Sequence, residues 1–400
     1  MKKLFANIFF FFALLPFISP YPIGSDAQPI AFLLGASLIF LLFLENNLKL
    51  SLLESIFILL SLFSLIFLGI DNFGEFDIKQ RLGLFFGAVT FIAASKLFYI
   101  FSFKVLALAS FVNFFGVLWH LISPDSFVPV AELFIRKVKL VEISTRGVSG
   151  FAPENSFASI LAIFHIVLAY YFYSQNKCSK QSFIILSILA VLVIVMTSSG
   201  SGYMFAFLLL AIFILSKLTP KVVFTSLIFI PIIMFAFLQS SLVDSRGGAL
   251  VKLAINNPSL LLVDGSIAER ALALDIGFKS LITYPFGKGA GAYSTIAPYI
   301  EEKFSLSLKY PSARKGVMMK ETISPFARYL TEIGLVFIVF SAYLFLKAFR
   351  WNSYSLISVT FAFLLFIVSF SIIFPPTYFL LASSLKFTPR VKYIQPMLNN

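Results

Sequence analysis

The sequence predicts an all-helical fold, a polytopic transmembrane bundle with about eleven or twelve spans and one large helical loop outside the membrane. Of its 400 residues, 59% are hydrophobic and only 12% are charged, which leaves too little polar surface for a soluble globule. The 52 Phe residues fall in long apolar runs, which excludes the alternating pattern of an outer-membrane barrel. Helices remain as the way to satisfy backbone hydrogen bonds in hydrocarbon.

Apolar runs long enough for a spanning helix of about 20 residues recur along the chain. They lie at 4–22, 29–45, 51–70, 82–101, 103–123, 150–173, 182–197, 203–216, 221–240, 326–346 and 354–374. A shorter twelfth run follows Pro375 and Pro376. The first run resembles a signal peptide, but no small-residue cleavage site follows promptly, so we interpret it as a retained helix.

The distribution of charge predicts the orientation of these spans. With the amino terminus in the cytoplasm, the inner loops hold 14 of the 31 basic residues but only Glu45 and Glu54 of the 18 acidic ones. This is the positive-inside asymmetry, so the net charge of +13 indicates topology and predicts no nucleic-acid partner. The single cysteine, Cys178, excludes an intramolecular disulfide.

Two predicted outer loops are longer than the other connections, and they divide the chain into five parts. These parts are amino-terminal spans at 1–123, a first loop at 124–149, central spans at 150–240, a large loop at 241–325, and carboxy-terminal spans with a basic cytoplasmic tail at 326–400. The large loop exceeds the length of a simple connector. We expect it to form a small cap of helices on the membrane surface.

The first outer loop contains basic residues in two settings. Arg136 belongs to a basic and apolar stretch typical of an interfacial helix, which can bind lipid phosphates. Arg146 is followed by Gly147 and Gly150, which allow close approach of the backbone, and Glu154 begins the next helix. A helix amino terminus beside a guanidinium suits a phosphate or diphosphate, although Glu154 could simply favour the helix dipole.

The large loop adds Arg246, Arg270, Asp275 and Lys288 as candidate site residues. Lys288 lies in the Gly-rich sequence PFGKGAG, which invites comparison with nucleotide-binding loops. That sequence has neither a preceding strand nor the Lys-Ser/Thr pair of a P-loop, so we predict no nucleotide binding.

These motifs together resemble a known family. Arg146 with GVSGFAPENSF, Arg270 with the downstream YPFGKGAG, and SPFARYLTEIGL before a span resemble the O-antigen polymerase and ligase superfamily, the Wzy-type enzymes of bacterial surface-polysaccharide assembly. The resemblance covers roughly residues 120–345. It implies a membrane-embedded glycosyltransferase of the bacterial inner membrane, which needs no cofactor or metal. The implied partners are undecaprenyl-diphosphate-linked donor and acceptor glycans, the lipid bilayer and a possible chain-length regulator.

The resemblance also assigns roles to residues of this chain. Arg146 and Arg270 are expected to hold the donor's diphosphate, and Arg136, Arg246 and Lys288 are further binding candidates. The acid of the family's E-x-G signature is Glu332. The ligase histidine before it is absent, because Ile323 and Ser324 occupy the corresponding positions. This departure favours a polymerase over a ligase.

The general base is left open among three carboxylates. Glu154 is the first candidate, with Glu321 and Asp275 behind it, because partial removal from water can raise a carboxyl pKa into a useful range. We interpret His120 as part of an aromatic belt and His165 as a helix-packing residue in preference to catalytic groups. A ligase and a transporter of lipid-linked sugars remain as alternative functions.

Overall fold

A computed structural model describes residues 2–22, 28–66, 77–135, 147–216, 246–313, 324–348, 352–368 and 374–387. Within these ranges the regular structure is helical and contains no strand. The first nine helices among the described residues are α1 (Lys2–Leu14), α2 (Ile30–Leu44), α3 (Leu52–Ile66), α4 (Asp77–Leu97), α5 (Phe103–Ile122), α6 (Pro124–Ala131), α7 (Asn155–Ser174), α8 (Lys180–Thr197) and α9 (Gly200–Ser216).

The remaining described helices fall into two groups along the chain. The first group comprises α10 (Arg246–Asn256), a 3₁₀ turn (Pro258–Val263), α11 (Gly265–Thr283), α12 (Tyr293–Lys303), α13 (Leu306–Lys309) and α14 (Pro325–Glu332). The second comprises α15 (Leu335–Ala348), α16 (Ser353–Val368) and α17 (Pro375–Lys386).

Three of the described helices, α5, α7 and α8, are long and apolar enough to cross a membrane. Six further apolar segments of 10–17 residues lie within α2, α3, α4, α9, α15 and α16. Most of the predicted runs therefore coincide with helices, and the short run after Pro376 forms α17, which begins at Pro375. The run predicted at 221–240 lies outside the described residues.

The centre of the apolar core is α7. Most of its side chains are buried, and it packs against α5, α8, α9 and α16. A helix that is apolar on all sides is most stable in this central position, because other helices can cover every face. His165 on α7 is buried and hydrogen-bonds through Nε2 to the Leu14 carbonyl oxygen at 3.1 Å. That carbonyl ends α1, so the histidine caps a helix terminus and has a packing role there.

The continuous span predicted at 326–346 is not observed as one helix. It is divided into α14 and α15, and Gly334 between them has φ +65°. Glycine adopts this left-handed conformation without the steric cost that a Cβ atom brings. The hydropathy of the segment does not reveal the break, because glycine is tolerated inside apolar helices.

The segment from α11 to α14 has a hydrophobic core of its own, separate from the main one. The core consists of Ala268, Leu272, Ala273, Ile276, Tyr293, Ala297, Ile300, Leu306, Tyr310, Ala313 and Ala327. At its centre α11 crosses α14 closely, since a Cβ added at Gly277 would lie 2.7 Å from the Ala327 Cα. The predicted large loop therefore contains packed helices, whatever face of the membrane it occupies.

Candidate functional site

The Gly-rich segment 285–291 is bonded along the end of α14. The Lys288 N–H donates to the Thr331 carbonyl at 3.0 Å, and the Gly289 N–H donates to the Glu332 carbonyl at 2.9 Å. In return, the Leu335 N–H donates to the Pro285 carbonyl at 2.7 Å. We call this paired arrangement of residues 285–291 and 331–335 the clasp. It satisfies carbonyl groups that the end of a helix otherwise leaves without partners.

Two glycines make the clasp sterically possible. A Cβ at Gly287, whose φ is +78°, would lie 2.3 Å from the Glu332 carbonyl oxygen. A Cβ at Gly334 would lie 2.1 Å from the Pro285 carbonyl oxygen. The clasp uses the N–H groups of residues 288, 289 and 291 as donors to protein oxygens. These three amides already donate to protein oxygens, so they are not free to bind a phosphate. This argues against a phosphate-binding loop.

A buried ion pair lies directly beneath the clasp. Arg328 Nε donates to Glu332 Oε1 at 2.7 Å, and both side chains are less than a tenth exposed. The same Oε1 accepts the Gly291 N–H at 2.9 Å. The two residues stand four apart on α14, which is the spacing that brings side chains together on one helix face. Glu332 thus holds both a guanidinium and the Gly-rich segment.

Tyr293 is brought to this ion pair by the same contacts. It begins α12, two residues after Gly291, and its side chain is 3% exposed. Burial raises the pKa of its phenol, the nearby Glu301 carboxylate raises it further, and the Arg328 guanidinium opposes them. The phenol is therefore protonated and can donate a hydrogen bond. Glu301 is itself buried, at 8% exposure.

The predicted residues of α11 lie in a different environment. Arg270 turns back along its own helix, where Nη1 donates to the Ser266 carbonyl at 2.9 Å and also to the Ser266 hydroxyl. Asp275 accepts from Lys309 Nζ at 2.7 Å and from the Tyr310 hydroxyl at 3.2 Å. Both donors occupy Oδ2, so a substrate hydroxyl would have to displace one of them to reach that oxygen, which weighs against Asp275 as the general base.

Lys288 is exposed, and its ammonium group lies 4.6 Å from the centre of the Tyr284 ring. Its backbone belongs to the clasp, whereas its side chain is available to solvent. Lys288 is therefore a positive group on a fixed stretch of backbone.

The segment after Arg146 packs closely against α8 and α5. A Cβ at Gly147 would lie 2.1 Å from the Thr197 carbonyl oxygen, and one at Gly150 would lie 2.7 Å from Val117. The Gly150 N–H donates to His120 Nδ1 at 3.3 Å. With Nδ1 accepting, the neutral His120 carries its proton on Nε2, which leaves the ring poorly suited to act as a base.

Glu154 does not form a side-chain cap on α7, and its carboxylate is exposed with only a 3.4 Å contact from the Ser156 hydroxyl. The helix begins at Asn155, whose Nδ2 donates to the Thr197 carbonyl at 3.0 Å. Arg136, Arg146 and Glu321 lie outside the described residues. Arg246 begins α10, and its side chain also lies outside them.

Sequence reasoning missed Arg328, Tyr293 and Glu301. The Arg-x-x-x-Glu spacing at 328 and 332 was a signal for the ion pair. Tyr293 and Glu301 had no comparable signal, because their burial depends on the clasp and on the second core. In the described parts of the chain, no three His, Cys, Asp or Glu side chains group together as a metal site requires.

Comparison with known protein families and with curated proteins finds no match to this chain.

Proposed function

We propose that this chain polymerises undecaprenyl-diphosphate-linked oligosaccharide repeat units of an O-antigen or related surface polysaccharide. In this proposal it is a multi-pass protein of the bacterial inner membrane with about eleven or twelve spans. The segments 124–149 and 241–325 face the periplasm, where the lipid-linked glycans are joined. A chain-length regulator is a possible partner.

The observation that carries the proposal is the clasp. The resemblance to Wzy-type enzymes rests in part on the sequences YPFGKGAG and SPFARYLTEIGL, which are far apart in the chain. Their backbones are hydrogen-bonded to each other at 2.7–3.0 Å. Two motifs proposed to serve one site thus occupy one place, beside the helix that carries Arg270. This supports the proposal without depending on either motif alone.

The proposed reaction needs only positioned side chains. A hydroxyl of the acceptor glycan attacks the anomeric carbon of the donor and forms the new C–O bond. The bond from that carbon to the diphosphate breaks, undecaprenyl diphosphate leaves, and the hydroxyl proton passes to a general base. Negative charge grows on the leaving diphosphate, so fixed guanidinium groups stabilise the transition state more than the ground state.

A transporter of lipid-linked sugars is the alternative from a different class. Transporters place charges and helix breaks near the middle of their spans. The described chain has an ion pair between the buried Glu54 and the partly exposed Lys96 at 2.6 Å, but these residues lie in the first turn of α3 and the last turn of α4. The buried pair Arg328–Glu332 and the break at Gly334 likewise lie in and directly after the short helix α14, beside the Gly-rich segment, and not in the middle of a long apolar helix. This placement of the charges supports an enzyme over a transporter.

Deleting the gene in its host separates these functions. A polymerase predicts that the long glycan ladder disappears on a gel while a single repeat unit stays attached to the core. Bare core without any repeat unit indicates a ligase or a flippase and contradicts the proposal.

Substitution of Arg270 tests the proposed diphosphate contact. We expect Arg270→Ala in a complementing copy to shorten or abolish the ladder at normal protein levels, and Arg270→Lys to impair it, because an ammonium group cannot form bidentate bonds to phosphate. Lys303→Ala removes an exposed positive charge from the same region and is the matched control. Full restoration of long chains by Arg270→Ala would show that this assignment is wrong.

A further inference from the structure

Two buried hydrogen-bond donors beside the clasp lack acceptors. Among the described residues, Arg328 Nη2 and the Tyr293 hydroxyl are enclosed atoms without a hydrogen-bond partner. Arg328 is 7% exposed and Tyr293 is 3% exposed. Buried polar atoms are nearly always hydrogen-bonded, so these two donors are available to an acceptor from outside the chain.

The geometry around these donors fixes where they stand. Gly291 is bonded to Glu332, which holds Tyr293 at the start of α12 near Arg328. Arg328 is bonded to Glu332 through its Nε, and its Nη2 has no hydrogen-bond partner within the described part of the chain. The Glu332 carboxylate thus holds Arg328 directly and holds the backbone two residues before Tyr293 through Gly291.

The surrounding charges define the class of ligand. The charge of Arg328 is already balanced by Glu332, and Glu301 adds a second nearby carboxylate. A phosphate would be repelled by these carboxylates. A sugar hydroxyl is neutral, accepts bonds from both donors, and can donate its own proton to a carboxylate.

We propose that Arg328 Nη2 and the Tyr293 hydroxyl form a subsite that binds a hydroxyl group of the glycan. This inference rests on the proposed function and deepens it, since it separates a glycan contact at the clasp from the diphosphate contact proposed for Arg270. Both donor atoms are enclosed, so binding of the glycan requires the side chains that cover them to shift.

The test uses Tyr293→Phe, which removes one hydroxyl and keeps the ring in the second core. The probe is the soluble repeat-unit oligosaccharide released from the host's surface glycan, and its affinity for the purified full-length protein is measured by calorimetry. We expect its Kd to rise about five- to tenfold, as the loss of a hydrogen bond to a ligand predicts. The melting temperature should stay the same or increase, because the removed hydroxyl has no partner in the free protein.

Tyr310→Phe is the matched control. Tyr310 belongs to the same core, but its hydroxyl already bonds to Asp275. Its substitution should leave the Kd unchanged. Arg328→Lys retains a charge opposite Glu332 but lacks Nη2, and it should weaken the affinity for the oligosaccharide as Tyr293→Phe does.

An unchanged Kd in Tyr293→Phe overturns the subsite. If the melting temperature then falls, the hydroxyl binds a structural water instead of a glycan. Failure of the proposed function gives a different result: the gene deletion leaves the ladder intact, and the wild-type protein does not bind the oligosaccharide. A deletion that removes the ladder, together with wild-type affinity in Tyr293→Phe, refutes the subsite alone.

Discussion

At the scale of single residues, the strongest constraint described above is the charge pair of Arg328 and Glu332. Removing one member leaves the other as an uncompensated buried charge, which costs about 3–5 kcal/mol. We therefore expect Glu332→Gln to lower the free energy of unfolding by that order, measured by thermal unfolding in detergent. Glu302→Gln, at an exposed position in the last turn of α12, should have little effect.

A double variant tests whether the two side chains act as a unit. Replacing both Arg328 and Glu332 with leucine removes both charges, so it should destabilise the protein less than the sum of the single changes. Additive losses would contradict the buried pair.

Only some of the residues at this site could be predicted from the sequence. Glu332 was identified through a motif and Arg270 through its position before the Gly-rich sequence. The motif does not reveal that Glu332 is neutralised by Arg328 or that it accepts a backbone amide. Burial and hydrogen bonding of this kind depend on packing between distant segments. Asp275 is the reverse case: its place in the sequence suits a general base, but its carboxylate is bonded to Lys309 and Tyr310.

At the scale of secondary-structure elements, the break between α14 and α15 is the feature with the clearest test. We expect Gly334→Ala to cost about 1–3 kcal/mol in backbone strain. The clash with the Pro285 carbonyl should add to this cost, because the Leu335 hydrogen bond to that oxygen must lengthen. Thermal unfolding and protease sensitivity of the 285–291 segment are the measurements.

Gly265→Ala provides the control for that experiment. Gly265 begins α11, and a Cβ there would lie 3.1 Å from the Ser312 carbonyl oxygen, which requires only a small adjustment. Equal stability of the two variants would mean that the break is not held by the clasp.

Hydropathy predicts the positions of most described helices but not the break between α14 and α15. Apolar runs located most helices because lipid-facing and buried side chains are both hydrophobic. The same runs could not distinguish α14 from α15, since the break depends on one dihedral angle and one carbonyl. Packing of the Gly-rich sequence against α14 was equally hidden, because it joins residues distant in the chain.

At the scale of the whole molecule, the testable property is the orientation in the membrane. The natural Cys178 lies in a predicted cytoplasmic connection, and Lys288 is exposed in the predicted periplasmic segment. We expect a membrane-impermeant maleimide to label Lys288→Cys, in a Cys178→Ser background, in intact spheroplasts. Native Cys178 should react only after the membrane is permeabilised. The opposite pattern would reverse the topology and contradict a periplasmic site.

The clasp should make the chain between its two halves tolerant of insertions. Hydrogen bonds tie residue 288 to residue 331 and residue 285 to residue 335, so the intervening chain is a closed loop with a fixed base. The entropy of closing such a loop grows only slowly with length, by about 0.6 kcal/mol for each doubling. Insertions into the exposed end of α13 near Leu308 should therefore leave the base intact, which makes this place suitable for an epitope tag or a spectroscopic label.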